Sequence, residues 1–234
     1  MYHQSWAPRE LLSGSVNADG YGVVWYHEGR PRRIAEARPI WHDDELENTL
    51  GSVSSACIVA ALRNATPGQP VDRASLLPLV HDRFAFVLNG FVPDFHGAHM
   101  RALRSDLADD LYAALRGASD AETLFLLAVG FVREGAGLSE ALEEVARRVE
   151  RRVGKTEAQM NMVLADGETI GVLRSSTVLL TNSLYTSASV PFAEDGVVLA
   201  TEPLHASAAW TPVDGHHRVE IGPSGLSEAE LVFF

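Results

Sequence analysis

Ser119-Asp120-Ala121-Glu122-Thr123-Leu124-Phe125-Leu126-Leu127-Ala128-Val129-Gly130-Phe131-Val132-Arg133 opens on a residue pair with capping-box spacing and becomes almost wholly apolar from Leu124 to Val132. A helix that is apolar on every side must be covered on every side. A second helical pattern follows, with Leu138, Leu142, Val145, Val149 and Val153 on one face and Glu143/Arg147 and Glu144/Arg148 as i,i+4 pairs on the other. Another helical stretch, Ser105–Leu115, precedes them. These helices form the middle third of the chain, and both flanking thirds read as strands.

On the N-terminal side, Tyr21–Tyr26, Arg33–Ala37 (after a turn at Gly29–Pro31), Ala56–Leu62 and Phe84–Leu88 have strand composition, with a short helix over Asp43–Leu50. Ala56–Leu62 is continuously apolar, as a strand covered on both faces would be. On the C-terminal side, Gln159–Leu164, Thr169–Leu173 after Asp166-Gly167, Val178–Thr181, Val197–Thr201 and Arg218–Ile221 complete the set. Strands, then helices, then strands within one domain's length indicate a layered α+β fold rather than alternating βαβ units. Two sheets face to face with helices outside is one such arrangement.

Composition narrows the function. The 234 residues carry a net charge of −12, and Lys155 is the only lysine, which argues against a nucleic-acid partner. One cysteine in the whole chain excludes an internal disulfide and a cysteine-rich metal site. The close histidine pairs His96/His99 and His216/His217 are not read as completing a metal-ligand set, so neither metal nor cofactor is expected. No apolar run approaches the ~20 residues of a membrane span, and Met1–Trp6 has no signal-peptide pattern. A cytoplasmic protein with no membrane partner is the expectation; self-association stays open.

Five positions could carry chemistry, each with a plainer alternative. Asn17-Ala18-Asp19-Gly20-Tyr21-Gly22 is a polar loop entering a strand, and two glycines suit a turn. Arg63 ends an apolar strand before Asn64-Ala65-Thr66-Pro67-Gly68. A guanidinium there suits bidentate capture of a carboxylate, or simply reaches water. Asn89-Gly90 between apolar runs is a strong hairpin signal; an Asn amide beside a Gly N–H is also an oxyanion-hole pair. Ser119 and Glu122 are explained by the capping box, while Asp120 could meet an ammonium group or only the helix dipole. Cys57, inside an apolar strand, reads as inert.

The order of these features is more specific than any one of them. Gln4–Glu10, Asn17–Gly22, Trp25-Tyr26, Pro39–Trp41, Arg63–Gly68, Asn89–Phe91, Ser119–Glu122 and Ala200-Thr201-Glu202-Pro203 form a series that resembles the class II glutamine amidotransferase-like N-terminal-nucleophile hydrolases over nearly the whole chain. The resemblance implies a four-layer αββα sandwich formed by a single domain over residues 1–234, and hydrolysis of a γ-glutamyl amide. It places the glutamyl α-carboxylate on Arg63, the α-ammonium on Asp120 and the oxyanion on Asn89 and the Gly90 N–H. Asn17, Asp19 and Gly20 would border the nucleophile.

Two departures accompany it. Leu88 stands where the family has His, which would loosen hydrogen bonding around the oxyanion donors. The family nucleophile is a cysteine at the mature N-terminus whose own α-amine acts as base, whereas this chain starts Met1-Tyr2. The first strand of the resembled fold also has no counterpart before Gln4. Two expectations stand side by side. One is a nucleophile segment that precedes residue 1, which is favoured because Arg63, Asp120 and Asn89-Gly90 are all present. The other is a short chain that binds a γ-glutamyl ligand without turnover. The 234-residue chain by itself is expected to be inactive, and a glutaminase subunit of an amidotransferase is the enzyme alternative.

Overall fold

A computed structural model of the protein describes residues 1–10, 16–64, 75–188, 190, 196–206 and 209–231. The first sheet has the order β2-β1-β3, with β1 at Gly20–His27, β2 at Arg30–Glu36 and β3 at Ile58–Arg63. The β1–β2 turn is Glu28-Gly29, both with positive φ (51° and 70°), as the tight primed turns of hairpins require. It lies just before the expected Gly29–Pro31 turn, so β2 begins earlier than the pattern indicated.

The second sheet has six strands in the order β12-β11-β7-β6-β5-β4. They are β4 Leu79–His81, β5 Phe84–Phe91, β6 Gln159–Ala165, β7 Ile170–Ser176, β11 His217–Gly222 and β12 Gly225–Glu230. A small third sheet joins β8 (Tyr185–Ser187) to β9 (Val198–Ala200) and β10 (Thr211–Pro212).

Alternation along the strands gives the second sheet two different faces. Phe84, Phe86 and Leu88 of β5 and Met160, Met162 and Leu164 of β6 enter the largest core cluster. Helices α5 (Asp120–Arg133) and α6 (Leu138–Val153) cover that face, and Phe86 stacks on Phe125 with ring centroids 5.3 Å apart. Every residue of α5 from Asp120 to Val129 is buried, as its apolar run demands. The opposite face meets the first sheet: Ala85 and Ala165 cluster with Val24, Tyr26, Cys57 and Val59. On the outer side of the first sheet, Tyr21 packs with Ile40 and with Leu46 of α2 (Leu46–Gly51), and Met1 packs against the same group; Met1 directly precedes α1 (Tyr2–Trp6). The layers are therefore short helices, sheet, sheet and long helices, the expected αββα order. Among the described residues, no helix is long and apolar enough to cross a membrane.

Several local expectations change. Ile58 is 52% exposed and burial alternates along β3, because β3 is an edge strand with one face uncovered. The expected Ser105–Leu115 helix shortens to α4 (Asp109–Ala113), which starts after extended Ala108, while α3 (Met100–Arg104) ends before the expected stretch begins. Asp106 in the break accepts from Arg148 at 2.8 Å and Arg152 at 3.4 Å, so Arg148 pairs with Asp106 rather than Glu144. Glu143–Arg147 forms as expected at 2.6 Å. Val178–Thr181 is not a strand: Ser176 Oγ accepts from Val178 N and donates to the carbonyls of Val178 and Leu180. Such local side-chain bonds compete with strand pairing, and Leu179 is left 98% exposed.

Candidate functional site

Asn89-Gly90 does not turn. Strand β5 runs straight through it, with Asn89 opposite Asn161 and Gly90 opposite Met160. Gly90 is required by close approach, since a Cβ there would overlap the carbonyl oxygen of Gln159. Alternation points Asn89 toward the first sheet and Leu88, 7% exposed, into the helix-side core. Leu88 in place of His therefore acts on the far side of the sheet from Asn89, not beside it.

The inter-sheet face of the second sheet changes character rung by rung. Ala85, Ala165, Ile170 and Ile221 form one rung, and Val87, Val163, Val172 and Val219 the next. The following rung is Asn89, Asn161, Arg174 and His217. An apolar interlayer thus ends in a polar row across four strands. The Asn182 backbone carbonyl and side chain bind this row together: the carbonyl accepts from Arg174 Nε at 2.8 Å and Asn161 Nδ2 at 3.2 Å, and Asn182 Nδ2 donates to the Asn89 carbonyl at 3.0 Å.

Asp120 joins the same region. It is the first residue of α5, 8% exposed, and its Oδ2 accepts from Val92 N at 2.9 Å, two residues beyond Gly90, while Oδ1 accepts from Ala121 N at 2.8 Å. Burial raises its pKa above the ordinary carboxylate value, and the backbone donors oppose that shift. A carboxylate has about four acceptor positions, so two bonds leave it able to receive a cation. The capping box beside it is half formed: Ser119 Oγ accepts from Glu122 N, but the Glu122 carboxylate accepts instead from the Arg116 and Gly117 N–H groups.

Arg63 lies at the same end of the sheets. It pairs with Gly20 across β1–β3, its carbonyl accepts from Asp19 N at 3.0 Å, and Asn17 N and Nδ2 donate to the Ser5 and Gln4 carbonyls at 2.6 and 2.8 Å. Arg63 Nη1 donates to Ser75 Oγ at 2.5 Å. The chain from Ser75 continues into β4, whose Leu79 pairs with Phe86, so the segment at Arg63 enters the sheet from the Asn89 end. The structure thus brings together the Asn17–Gly20 loop and Arg63 in one group, and Asn89, Gly90 and Asp120 in another, at a shared end of the interlayer. The part of the Arg63–Gly68 motif from 65 to 68 falls outside the described residues. Cys57 lies toward the opposite end, clustered with Tyr26, Ala85 and Ala165. Its thiol is buried and pushed up to about 11, chiefly by desolvation, so it is not a nucleophile at neutral pH.

No family model matches the chain. A glutamine aminotransferase class-II domain protein from Silicibacter pomeroyi superposes with a TM-score of 0.72 at 25% identity, over 90% of each chain. The γ-glutamyl-hercynylcysteine sulfoxide hydrolase of Mycobacterium tuberculosis is 28% identical over 228 residues, 97% of this chain and 85% of that protein. The protein of the same name from Mycolicibacterium smegmatis is 27% identical over 221 residues, 93% and 84%. The chain is similar to these glutamine amidotransferase-like proteins in sequence and in fold.

Sequence reasoning missed Asn161, Arg174 and Asn182; the signal was there for Asn161, a polar residue between two methionines of an apolar strand. It quoted Glu202 without a role. Glu202 is 5% exposed, and its Oε2 accepts from Arg9 N at 2.7 Å and Glu10 N at 3.2 Å, while Glu10 accepts from Tyr185 Oη at 2.7 Å. It fixes the N-terminal segment to the strands beside the polar row. Glu202→Ala strands two N–H donors and is expected to lower stability by about 1–3 kcal/mol in urea unfolding. Glu202→Gln keeps one oxygen for both donors and should lose less. Equal losses in the two variants would assign the effect to charge instead.

Proposed function

We propose that this protein is a γ-glutamyl amide hydrolase that receives the glutamyl head at the polar end of its interlayer. Arg63 holds the α-carboxylate through its guanidinium fork, Asp120 the α-ammonium, and Asn89 with the Gly90 N–H the carbonyl oxygen as it gains charge. A zwitterionic head needs one fixed cation, one fixed anion and donors beside the scissile carbonyl. The observation that carries the reading is the change of the interlayer from two apolar rungs to Asn89–Asn161–Arg174–His217 at the end where Arg63 and Asp120 lie.

The substrate class follows from the relatives named for γ-glutamyl-hercynylcysteine sulfoxide hydrolysis. Calorimetric titration with γ-glutamyl hercynylcysteine sulfoxide and with L-glutamine tests it. The conjugate should bind more tightly, because its leaving group adds contacts beyond the shared head; equal affinities would point to a general glutaminase.

Asp120 makes binding pH-dependent. Ionised Asp120 attracts an ammonium and protonated Asp120 does not. Because burial holds its pKa above the ordinary 3.8, affinity for L-glutamine should fall as pH is lowered, starting at a higher pH than an exposed aspartate would give. In Asp120→Asn the fall should vanish along with much of the affinity. A wild-type affinity constant down to pH 4 would remove Asp120 from the site.

A further inference from the structure

Asn161 lies directly across from Asn89 in the β5–β6 ladder, so both side chains project from the same face of the sheet. It is 4% exposed. Its Nδ2 donates to two backbone carbonyls, of Asn182 at 3.2 Å and Ser183 at 2.9 Å. Two carbonyl partners fix which end of the amide is nitrogen. Among the described residues, the Oδ1 atom that this leaves is buried without a hydrogen-bond partner. Buried acceptors of this kind are rare in folded proteins and call for a partner.

Resting on the γ-glutamyl reading above, we infer that Asn161 Oδ1 accepts the N–H of the scissile amide while Asn89 donates to its carbonyl oxygen. The dimensions agree. Side chains directly opposite in an antiparallel pair have Cβ atoms about 4.5–5.5 Å apart. The oxygen and nitrogen of one carboxamide are about 2.2 Å apart from its bond lengths, and each reaches outward through a bond of about 2.9 Å. An amide laid across this rung thus presents its acceptor to Asn89 and its donor to Asn161. An ester of the same shape presents an oxygen lone pair to Oδ1 instead, and is disfavoured. Asn161 is on this account a specificity residue: it makes the site choose γ-amides over γ-esters.

The test compares L-glutamine with L-glutamate γ-methyl ester by calorimetry, within each protein. Wild type should bind the amide about three- to tenfold more tightly, the range of one neutral hydrogen bond. Asn161→Asp retains an acceptor and should retain the preference, whereas Asn161→Leu should bring the ratio to about one. Using the ratio cancels any loss that both ligands share through loosening of the Asn182–Ser183 carbonyl contacts. Equal binding of amide and ester by wild type overturns the inference even if the leucine variant does not fold. An unchanged ratio in a folded Asn161→Leu does so as well, and leaves Oδ1 to a buried water. If wild type binds neither ligand, the γ-glutamyl reading itself fails and the inference with it.

Discussion

Arg63→Ala is expected to abolish measurable binding of L-glutamine and L-glutamate, a loss of at least about 100-fold. Each hydrogen bond to a charged group contributes roughly 1.5–3 kcal/mol, and a guanidinium fork makes two to one carboxylate. Arg63 ends β3, where the strand geometry fixes its backbone against Gly20 and where Ser75 Oγ accepts from Nη1. One edge of the fork is thus already oriented before a ligand arrives, and little side-chain freedom is left to lose. Arg63→Lys keeps the charge but not the planar fork, so it should recover only part of the affinity. The fold should tolerate both changes, because Arg63 is half-buried at the end of β3. An alanine variant with wild-type affinity would take Arg63 out of the site.

Among the described glycines, Gly90→Ala is expected to produce the largest stability loss. The new Cβ would overlap the Gln159 carbonyl oxygen and crowd the Met160 N, both backbone atoms of the neighbouring strand that no rotamer change can move. Relief requires separating β5 from β6 at the polar rung, where Asn89 and Asn161 face each other. Overpacking of this kind costs about 3 kcal/mol or more, equivalent to a drop of roughly 6–12 °C in melting temperature for a chain this size. The same separation displaces Asn89, so glutamine affinity should fall in the fraction that remains folded. Ala substitution at Gly29, where a Cβ meets nothing within 4 Å, provides a control: its loss comes from positive φ alone and should be about 1 kcal/mol. Comparable losses at the two positions would mean that β5 and β6 do not approach as described.

Much of this architecture was legible because burial writes itself into long periodic segments. The α6 boundaries, Leu138 to Val153, follow directly from its five-residue apolar stripe. The all-round apolar character of Leu124–Val132 foretold burial that holds from Leu124 to Val129 and becomes partial over Gly130–Val132. Failures fell where a local signal met a tertiary demand. Asn89-Gly90 carries the strongest short hairpin signal in the chain, yet the glycine serves a close strand approach and the asparagine faces the other sheet. Both facts depend on Gln159 and Asn161, seventy residues away. Val178–Thr181 has strand composition, but Ser176 captures its backbone. Glu202 was visible only as a quoted motif, because its partners are backbone N–H groups at Arg9 and Glu10, which no side-chain code announces. The Asn161 oxygen could not be read from sequence at all: its significance lies in having no partner, and that is a property of the fold.

The central claim is that one end of the interlayer holds a glutamyl head between Arg63, Asp120 and Asn89. A crystal structure of the 234-residue chain soaked with L-glutamine tests it most directly. The account predicts the α-carboxylate on the Arg63 guanidinium, the α-ammonium on Asp120, and the side-chain carbonyl oxygen on Asn89 Nδ2. Glutamine bound elsewhere, or bound here with its carboxylate away from Arg63, would contradict it.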